Sequence, residues 1–252
     1  MFEVTARLKV RDGELEGFRR QAAEVMREAL EHDTKTLRYD WFLSDDGTEC
    51  EVREGYVDAD GLLEHSDHVG AVRAKLFHEF AYDHDMTIYG KAPQALIDAF
   101  EAMRGHVVYH RYSLLQGLAG SQDGGIPDGA FEATARLKIR DGELEGFRRQ
   151  VAEIMSRIEQ QDVKPLRYDW FLSDDGSECE VREAYVDADA LLAQQHRVRE
   201  AKAELFRFVA GHAMTFYGEP SPALAAALEA MGTPFTQFSF LQGLAARDEV
   251  PA

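Results

Sequence analysis

The stretch ARLKVRDGELEGFRRQ at Ala6–Gln21 returns at Ala135–Gln150 as ARLKIRDGELEGFRRQ, with Ile139 in place of Val10 as the one difference. At the same spacing of 129 residues, LRYDWFLSDDGTECEVREGY (Leu37–Tyr56) returns as LRYDWFLSDDGSECEVREAY (Leu166–Tyr185). Small deletions then shift Tyr89-Gly90 onto Tyr217-Gly218 and Gln116-Gly117-Leu118 onto Gln242-Gly243-Leu244. A unit this long, present twice, is too large and too few to be a solenoid repeat, and each copy is long enough to bury a core of its own. Each copy is therefore expected to be a domain that pairs with its sibling. Between them AGSQDGGIPDGA is rich in flexible, turn-forming residues. The predicted organisation is residues 1–118, a linker at 119–130, and residues 131–246.

Within the first repeat Val4, Ala6, Leu8 and Val10 alternate with polar residues at the two-residue period of a half-buried strand. Asp12 is expected to cap a helix ending near Leu30, with acidic Glu14 and Glu16 at its positive end and an apolar stripe through Phe18, Ala22, Val25, Met26 and Ala29. Thr36–Ser44 and Glu49–Val57 flank the turn Asp45-Asp46-Gly47 and predict a hairpin. Helical spacing runs from Asp58 to Asp83, a short strand covers Met86–Tyr89, Pro93 opens another helix through Met103, and Val107–Leu115 is the last strand. The order β-α-β-β-α-β with an added helix and strand is the ferredoxin-like α+β plan. It covers one face of each sheet and leaves the other bare, so two tandem copies are expected to bury these faces against each other as an intramolecular pseudo-dimeric α+β barrel. A short tether raises the effective concentration of the pair to roughly the millimolar range. Whether such pseudo-dimers assemble into a further homo-oligomer stays open.

Forty-six acidic against 28 basic residues leave a formal net charge of -18, which repels phosphate backbones and anionic headgroups. Nucleic acid and membrane surfaces are thus not expected partners. Cys50 and Cys179 occupy equivalent places in the repeats and are too few for a disulfide framework, and no apolar run approaches a membrane span. The expected compartment is a reducing cytoplasm.

The stretch TLRYDWFLSDDGTECEVREGYVDADGLLEH, followed by a helix and TIYGKAPQALIDAFEAM, resembles the antibiotic biosynthesis monooxygenase family of the dimeric α+β barrel superfamily. The resemblance rests on Tyr39 and Tyr168 in the second strand, Glu54 with Tyr56 and Glu183 with Tyr185 in the third, and His65 at the start of the next helix. It extends over nearly the whole of both repeats. Repeat two departs from it by holding Gln194 at the place of His65, with His196 two residues on. The resemblance implies a cavity in each half where a small aromatic or quinol is oxygenated without flavin, metal or haem. The superfamily also holds haem-degrading, decarboxylating, isomerising and purely binding members, so fold alone does not assign the chemistry.

On the third strand Cys50, Val52, Glu54 and Tyr56 share a face, and His65 follows closely enough to reach back toward Tyr56. A phenol or quinol reacts with dioxygen much faster once deprotonated. His65 is the candidate catalytic base, Tyr56 a donor to the resulting oxyanion, and Glu54 an orienter of the histidine or itself the base. The competing reading pairs Glu54 with Arg38 or Arg53 and leaves His65 on an exposed helix. Tyr39 and Trp41, like Tyr168 and Trp170, share one face and either line the cavity or pack under the first helix, unless a bulge reverses their parity. His68, Glu183, Tyr185 and His196 complete the candidate ligand-binding set. His65, Asp67 and His68 lack the spacing of a zinc helix, so no metal is expected. The cysteines are expected to be buried and inert. A non-catalytic binding or stress-related protein of the same fold, holding a small apolar molecule, is the alternative. Loss of the second-repeat histidine leans toward it, or toward one working half and one structural half.

Overall fold

The computed structural model describes residues 1–102, 108–118, 126, 127, 129–231 and 235–244. Most of the expected linker and the end of the helix expected at Met103 lie outside them. The chain divides into two compact units, residues 1–111 with 238–252 and residues 112–237. These units and the two sequence repeats are different divisions of one chain, because the last strand of each repeat completes the sheet of the other unit.

Unit 1 begins with β1 (Phe2–Val10), α1 (Leu15–His32), β2 (Thr36–Ser44) and β3 (Glu49–Tyr56). It continues through α2 (Ala59–His68), α3 (Gly70–Glu79), β4 (Ala81–Tyr89), α4 (Gln94–Ala102) and the first part of β5 (Val108–Gln116). Unit 2 repeats the series as β6 (Phe131–Ile139), α5 (Leu144–Glu159), β7 (Arg167–Ser173), β8 (Glu178–Tyr185), α6 (Ala188–Arg197) and α7 (Arg199–Leu205). A 3-10 turn, Phe206–Phe208, leads into β9 (Val209–Tyr217), α8 (Pro222–Met231) and β10 (Phe235–Gln242).

The unit 1 sheet runs β4-β1-β3-β2-β10, antiparallel throughout, with Phe238–Gln242 of β10 laid against Trp41–Ser44. The unit 2 sheet runs β9-β6-β8-β7-β5, with Tyr112–Gln116 of β5 laid against Trp170–Ser173. The central four-strand order is that of a ferredoxin-like α+β module, and the fifth strand arrives by exchange. Neither repeat could announce this, since an edge strand pairs as well with a sibling's edge as with its own.

The register sets the candidate site. Ile88, Val4, Glu54 and Tyr39 stand abreast across β4, β1, β3 and β2, and Met86, Ala6, Val52 and Trp41 form the row beside them. The irregularity in β2 falls between Thr36 and Arg38, ahead of Tyr39, so Tyr39 and Trp41 keep the parity of the buried face. Helix α1 closes over that face with Phe18, Ala22, Val25, Met26 and Ala29, as its stripe requires, and α5 does so with Phe147, Val151, Ile154, Met155 and Ile158. Each large side chain so buried contributes roughly 1.5–3 kcal/mol.

Three sequence expectations need correction. The α1 N-cap is Glu14, without a side-chain capping bond, because Gly13 at φ 80° carries the chain through one more turn after Asp12. The helix itself ends at His32, near Leu30 as expected. The single helix expected over Asp58–Asp83 is two helices. Asp58 caps the first by accepting from the Gly61 N–H, and the chain bends at Val69. Unit 2 bends identically at Val198, where Arg199 replaces Gly70, so glycine is not the cause. Val69 and Val198 are fully buried, and the bend lets both helices keep apolar residues on the core. The expected helix tail Ala81–Asp83 belongs to β4. Among the described residues no helix is long and apolar enough to cross a membrane.

Candidate functional site

In unit 1 the Tyr56 hydroxyl donates to Glu54 Oε2 at 2.6 Å, two residues back along β3. Helix α2 sets the His65 ring edge-on to Tyr39, with centroids 4.5 Å apart, and 5.6 Å from Tyr56. Trp41 stands 5.6 Å from Tyr39 on one side and 6.3 Å from Phe18 of α1 on the other, so this tryptophan packs under the first helix. Tyr39, Glu54, Tyr56 and His65 are thus brought together, all buried.

The residue that organises them is Asp33, at the end of α1. Its Oδ2 lies 2.7 Å from His65 Nδ1 and accepts from the Thr36 hydroxyl at 2.8 Å, and its Oδ1 lies 2.8 Å from His68 Nδ1. A carboxylate only accepts, so Nδ1 is the donor nitrogen of both rings and Nε2 is the one left to exchange a proton. Burial pushes the Asp33 carboxyl up, but His65, His68 and Thr36 together outweigh it and hold the group below its ordinary value. Burial dominates at Glu54, which is raised despite the pull of His65, Tyr56 and Arg73. The Tyr39 and Tyr56 phenols are raised by burial and by Glu54. Arg38 bonds Asp40 at 2.7 Å and Arg53 approaches Glu51 at 3.4 Å. The carboxylate of Glu54 is engaged by Tyr56 instead.

A cavity of about 1060 Å³ opens in the same unit, walled in part by Arg73, Phe77, Tyr82, His84, Met86 and Tyr109. None of the residues anticipated from sequence lines it. Arg73 of α3 links the two regions, for it lines the cavity and also acts electrostatically on Tyr39 and Glu54. Among the described residues this guanidinium makes no hydrogen bond or ion pair. His84 stacks on Phe77 with centroids 4.5 Å apart, and burial together with Arg73 holds its ring down to about 3. Burial lifts the Tyr109 phenol to about 12 against the pull of Arg73.

Unit 2 keeps the sheet residues and changes what covers them. Tyr185 donates to Glu183 Oε2, and Tyr168 stands 5.9 Å from Trp170, all four buried. Gln194 holds the place of His65 and is 1% exposed, whereas His196 is exposed on the last turn of α6. Asp162, the counterpart of Asp33, is exposed, Pro165 replaces Thr36, and Lys202 replaces Arg73. Cys50 and Cys179 are fully buried, and burial pushes both thiols up. Among the described residues no three His, Cys, Asp or Glu side chains form a group that could hold a metal ion.

Sequence reasoning missed Asp33, Arg73, His84 and Lys202. Asp33 and Arg73 look like an ordinary helix end and a solvated helix face. A usable signal was the difference between the repeats, which includes Thr36/Pro165, His65/Gln194 and Arg73/Lys202.

No protein-family model matches the sequence, and no curated protein matches it. Solved structures do match. A candidate monooxygenase from Fusobacterium nucleatum superimposes with a TM-score of 0.59 at 10% identity, over 84% of this chain and 89% of that one. A candidate monooxygenase from Lactobacillus acidophilus gives a TM-score of 0.57 at 11% identity, over 84% and 90%. A single antibiotic biosynthesis monooxygenase is covered completely by 37% of this chain, at 16% identity and a TM-score of 0.33. At these identities the likeness concerns architecture: the chain has the tandem α+β fold of those two full-length proteins.

Proposed function

We propose that unit 1 binds a small aromatic hydroxyl compound of the quinol type and promotes its oxygenation by dioxygen without a cofactor. The observation that carries this reading is Arg73, a cation with no ion pair among the described residues, set in the wall of an aromatic-lined cavity beside the Asp33–His65 pair. A guanidinium so placed favours the ionised hydroxyl over the neutral one. His65 is the proton acceptor, its basic Nε2 fixed by the bond from Nδ1 to Asp33. Tyr56, bonded to Glu54, packs beside it. The ionised ring is electron-rich enough to reduce dioxygen itself. For a substrate whose keto tautomer has a ring methylene, CH2 and O2 give a carbonyl and water, and the electrons come from the two C–H bonds.

The test is dioxygen uptake by metal-free protein with a panel of hydroquinones, for the natural chain, Arg73→Gln and His65→Gln. The natural chain is expected to exceed the spontaneous rate. Arg73→Gln should raise KM roughly tenfold or more, the scale of one lost charge-assisted bond. His65→Gln should lower kcat by about 100-fold or more. A natural chain no faster than the spontaneous rate refutes the oxygenase reading. Saturable binding of the same compounds without uptake would establish the second reading, a non-catalytic binding protein. That reading draws on the way Tyr56–Glu54 and His65–Asp33 satisfy one another as a purely structural network would.

A further inference from the structure

Unit 2 differs from unit 1 at the positions that matter chemically, and the differences converge on one side chain. We propose that Lys202 is a reactive amine that captures a small aldehyde or ketone as an imine, giving unit 2 a chemistry that unit 1 cannot perform. The counterpart in unit 1, Arg73, is a guanidinium that stays protonated and is no nucleophile.

Lys202 Nζ donates to Gln195 Oε1 at 2.7 Å, lies 3.9 Å from Glu183 Oε1 and sits 5.8 Å over the Tyr168 ring. Its side chain is 18% exposed. On the groups that meet it, and on Gln194 next to Gln195 in α6, several buried polar atoms have no hydrogen-bond partner among the described residues: the Tyr168 hydroxyl, Glu183 Oε1, Gln195 Nε2 and both side-chain polar atoms of Gln194. Tyr168, Glu183 and Gln194 are each no more than 1% exposed. Buried polar groups are satisfied in nearly all folded proteins, so a cluster of unsatisfied ones around an amine points to a ligand that satisfies them. Both donors and acceptors are on offer, as a carbonyl oxygen and the hydroxyl it becomes require. In unit 1 the same place is filled by the self-satisfied His65, Asp33 and Thr36.

The charged and titratable groups facing Lys202 are Glu183 from β8, Tyr168 from β7 and His212 from β9, while α6 contributes the neutral Gln195. Burial lowers the amine against the opposing pull of Glu183, which increases the neutral fraction able to attack. The step balances as one ammonium plus one carbonyl compound giving one protonated imine plus water. The ammonium first loses a proton, for which Glu183 Oε1 is the nearest base. The C–N bond forms as the carbonyl oxygen takes up a proton, and the carbinolamine hydroxyl leaves as water when a second proton reaches it, with Tyr168 positioned to donate.

The full chain is incubated at pH 7 with benzaldehyde and sodium cyanoborohydride, and benzylated lysines are quantified by peptide mapping. Lys202 is expected to be labelled at least tenfold faster than exposed Lys138 and Lys164, with the advantage shrinking as pH is raised. Lys202→Arg should abolish the fast phase and leave the slow labelling. Tyr168→Phe and Gln194→Ala should slow capture at Lys202 without changing the other lysines. Labelling of Lys202 no faster than Lys138 in the natural chain, or a fast phase that survives Lys202→Arg, overturns the proposal. A lysine serving only to hold Gln195 would show no pH-dependent selectivity.

Discussion

Substituting Asp33 by alanine, beside the same substitution at Asp162, tests the claim that one carboxylate organises the unit 1 site. The two residues sit at equivalent positions of the repeats, yet Asp33 has a side chain 1% exposed and bonded to Thr36, His65 and His68, and Asp162 is exposed. Bonds to a charged group contribute about 1.5–3 kcal/mol each, and a buried polar partner left without its bond costs a further amount of about 1–3 kcal/mol. The stranded partner is His65, 1% exposed. Asp33→Ala is therefore expected to destabilise by about 4 kcal/mol, and Asp162→Ala by no more than about 0.5 kcal/mol. With a urea dependence near 3 kcal/mol per molar, the upper range for such chains, Asp33→Ala should lower the unfolding midpoint by roughly 1.3 M. Urea titrations followed by tryptophan fluorescence read Trp41 and Trp170 directly. Because the Asp33 carboxyl is held below its ordinary 3.8, its contribution is complete above that pH and is lost as pH falls through the lower folded value. The difference between natural chain and Asp33→Ala should accordingly narrow only below about pH 4. Equal midpoint shifts for the two variants, or a loss under about 1 kcal/mol at Asp33, would refute the assignment.

Two further outcomes follow from groups elsewhere in the two units. His84, held down to about 3 from an ordinary 6.5, favours the folded state above pH 6.5 and loses that contribution as pH falls from there through about 3; its NMR ring signals should still report a neutral imidazole at pH 5, and His84→Phe should flatten the acid limb of the stability profile. A disulfide reagent of the Ellman type should find no reactive thiol in the native chain and two after denaturation, since Cys50 and Cys179 are fully buried with their thiols pushed up; stoichiometric native labelling of either would show that its strand opens readily.

The elements were legible wherever a local pattern decided them. The alternation of Val4 to Val10, the α1 stripe and the Asp46-Gly47 turn each depend on residues a few positions apart, and each became the expected element. The bend at Val69 was not, because the spacing of apolar residues continues across it and the burial of one valine decides it. The cluster of Tyr39, Glu54, Tyr56 and His65 could be read because β3 and α2 are adjacent in sequence and strand parity aligns Tyr39 with Glu54. Asp33 could not, since its bond to His65 spans 32 residues and nothing in HDTK marks a buried carboxylate; the equivalent QDVK leaves its aspartate in solvent.

The exchange of last strands has a consequence for the living chain. A ribosome delivers the first repeat long before the second, and in most tandem proteins the first domain can fold while the next is being made. Here the strand that completes the unit 1 sheet emerges only after most of the second repeat, since Phe238–Gln242 must exist before Trp41–Ser44 can be paired. Until then β2 is an open edge ending in Trp41, Phe42 and Leu43, the kind of surface that recruits other chains. The tandem arrangement keeps the missing strand on the same molecule, so what would be an encounter between two newborn proteins becomes a wait within one.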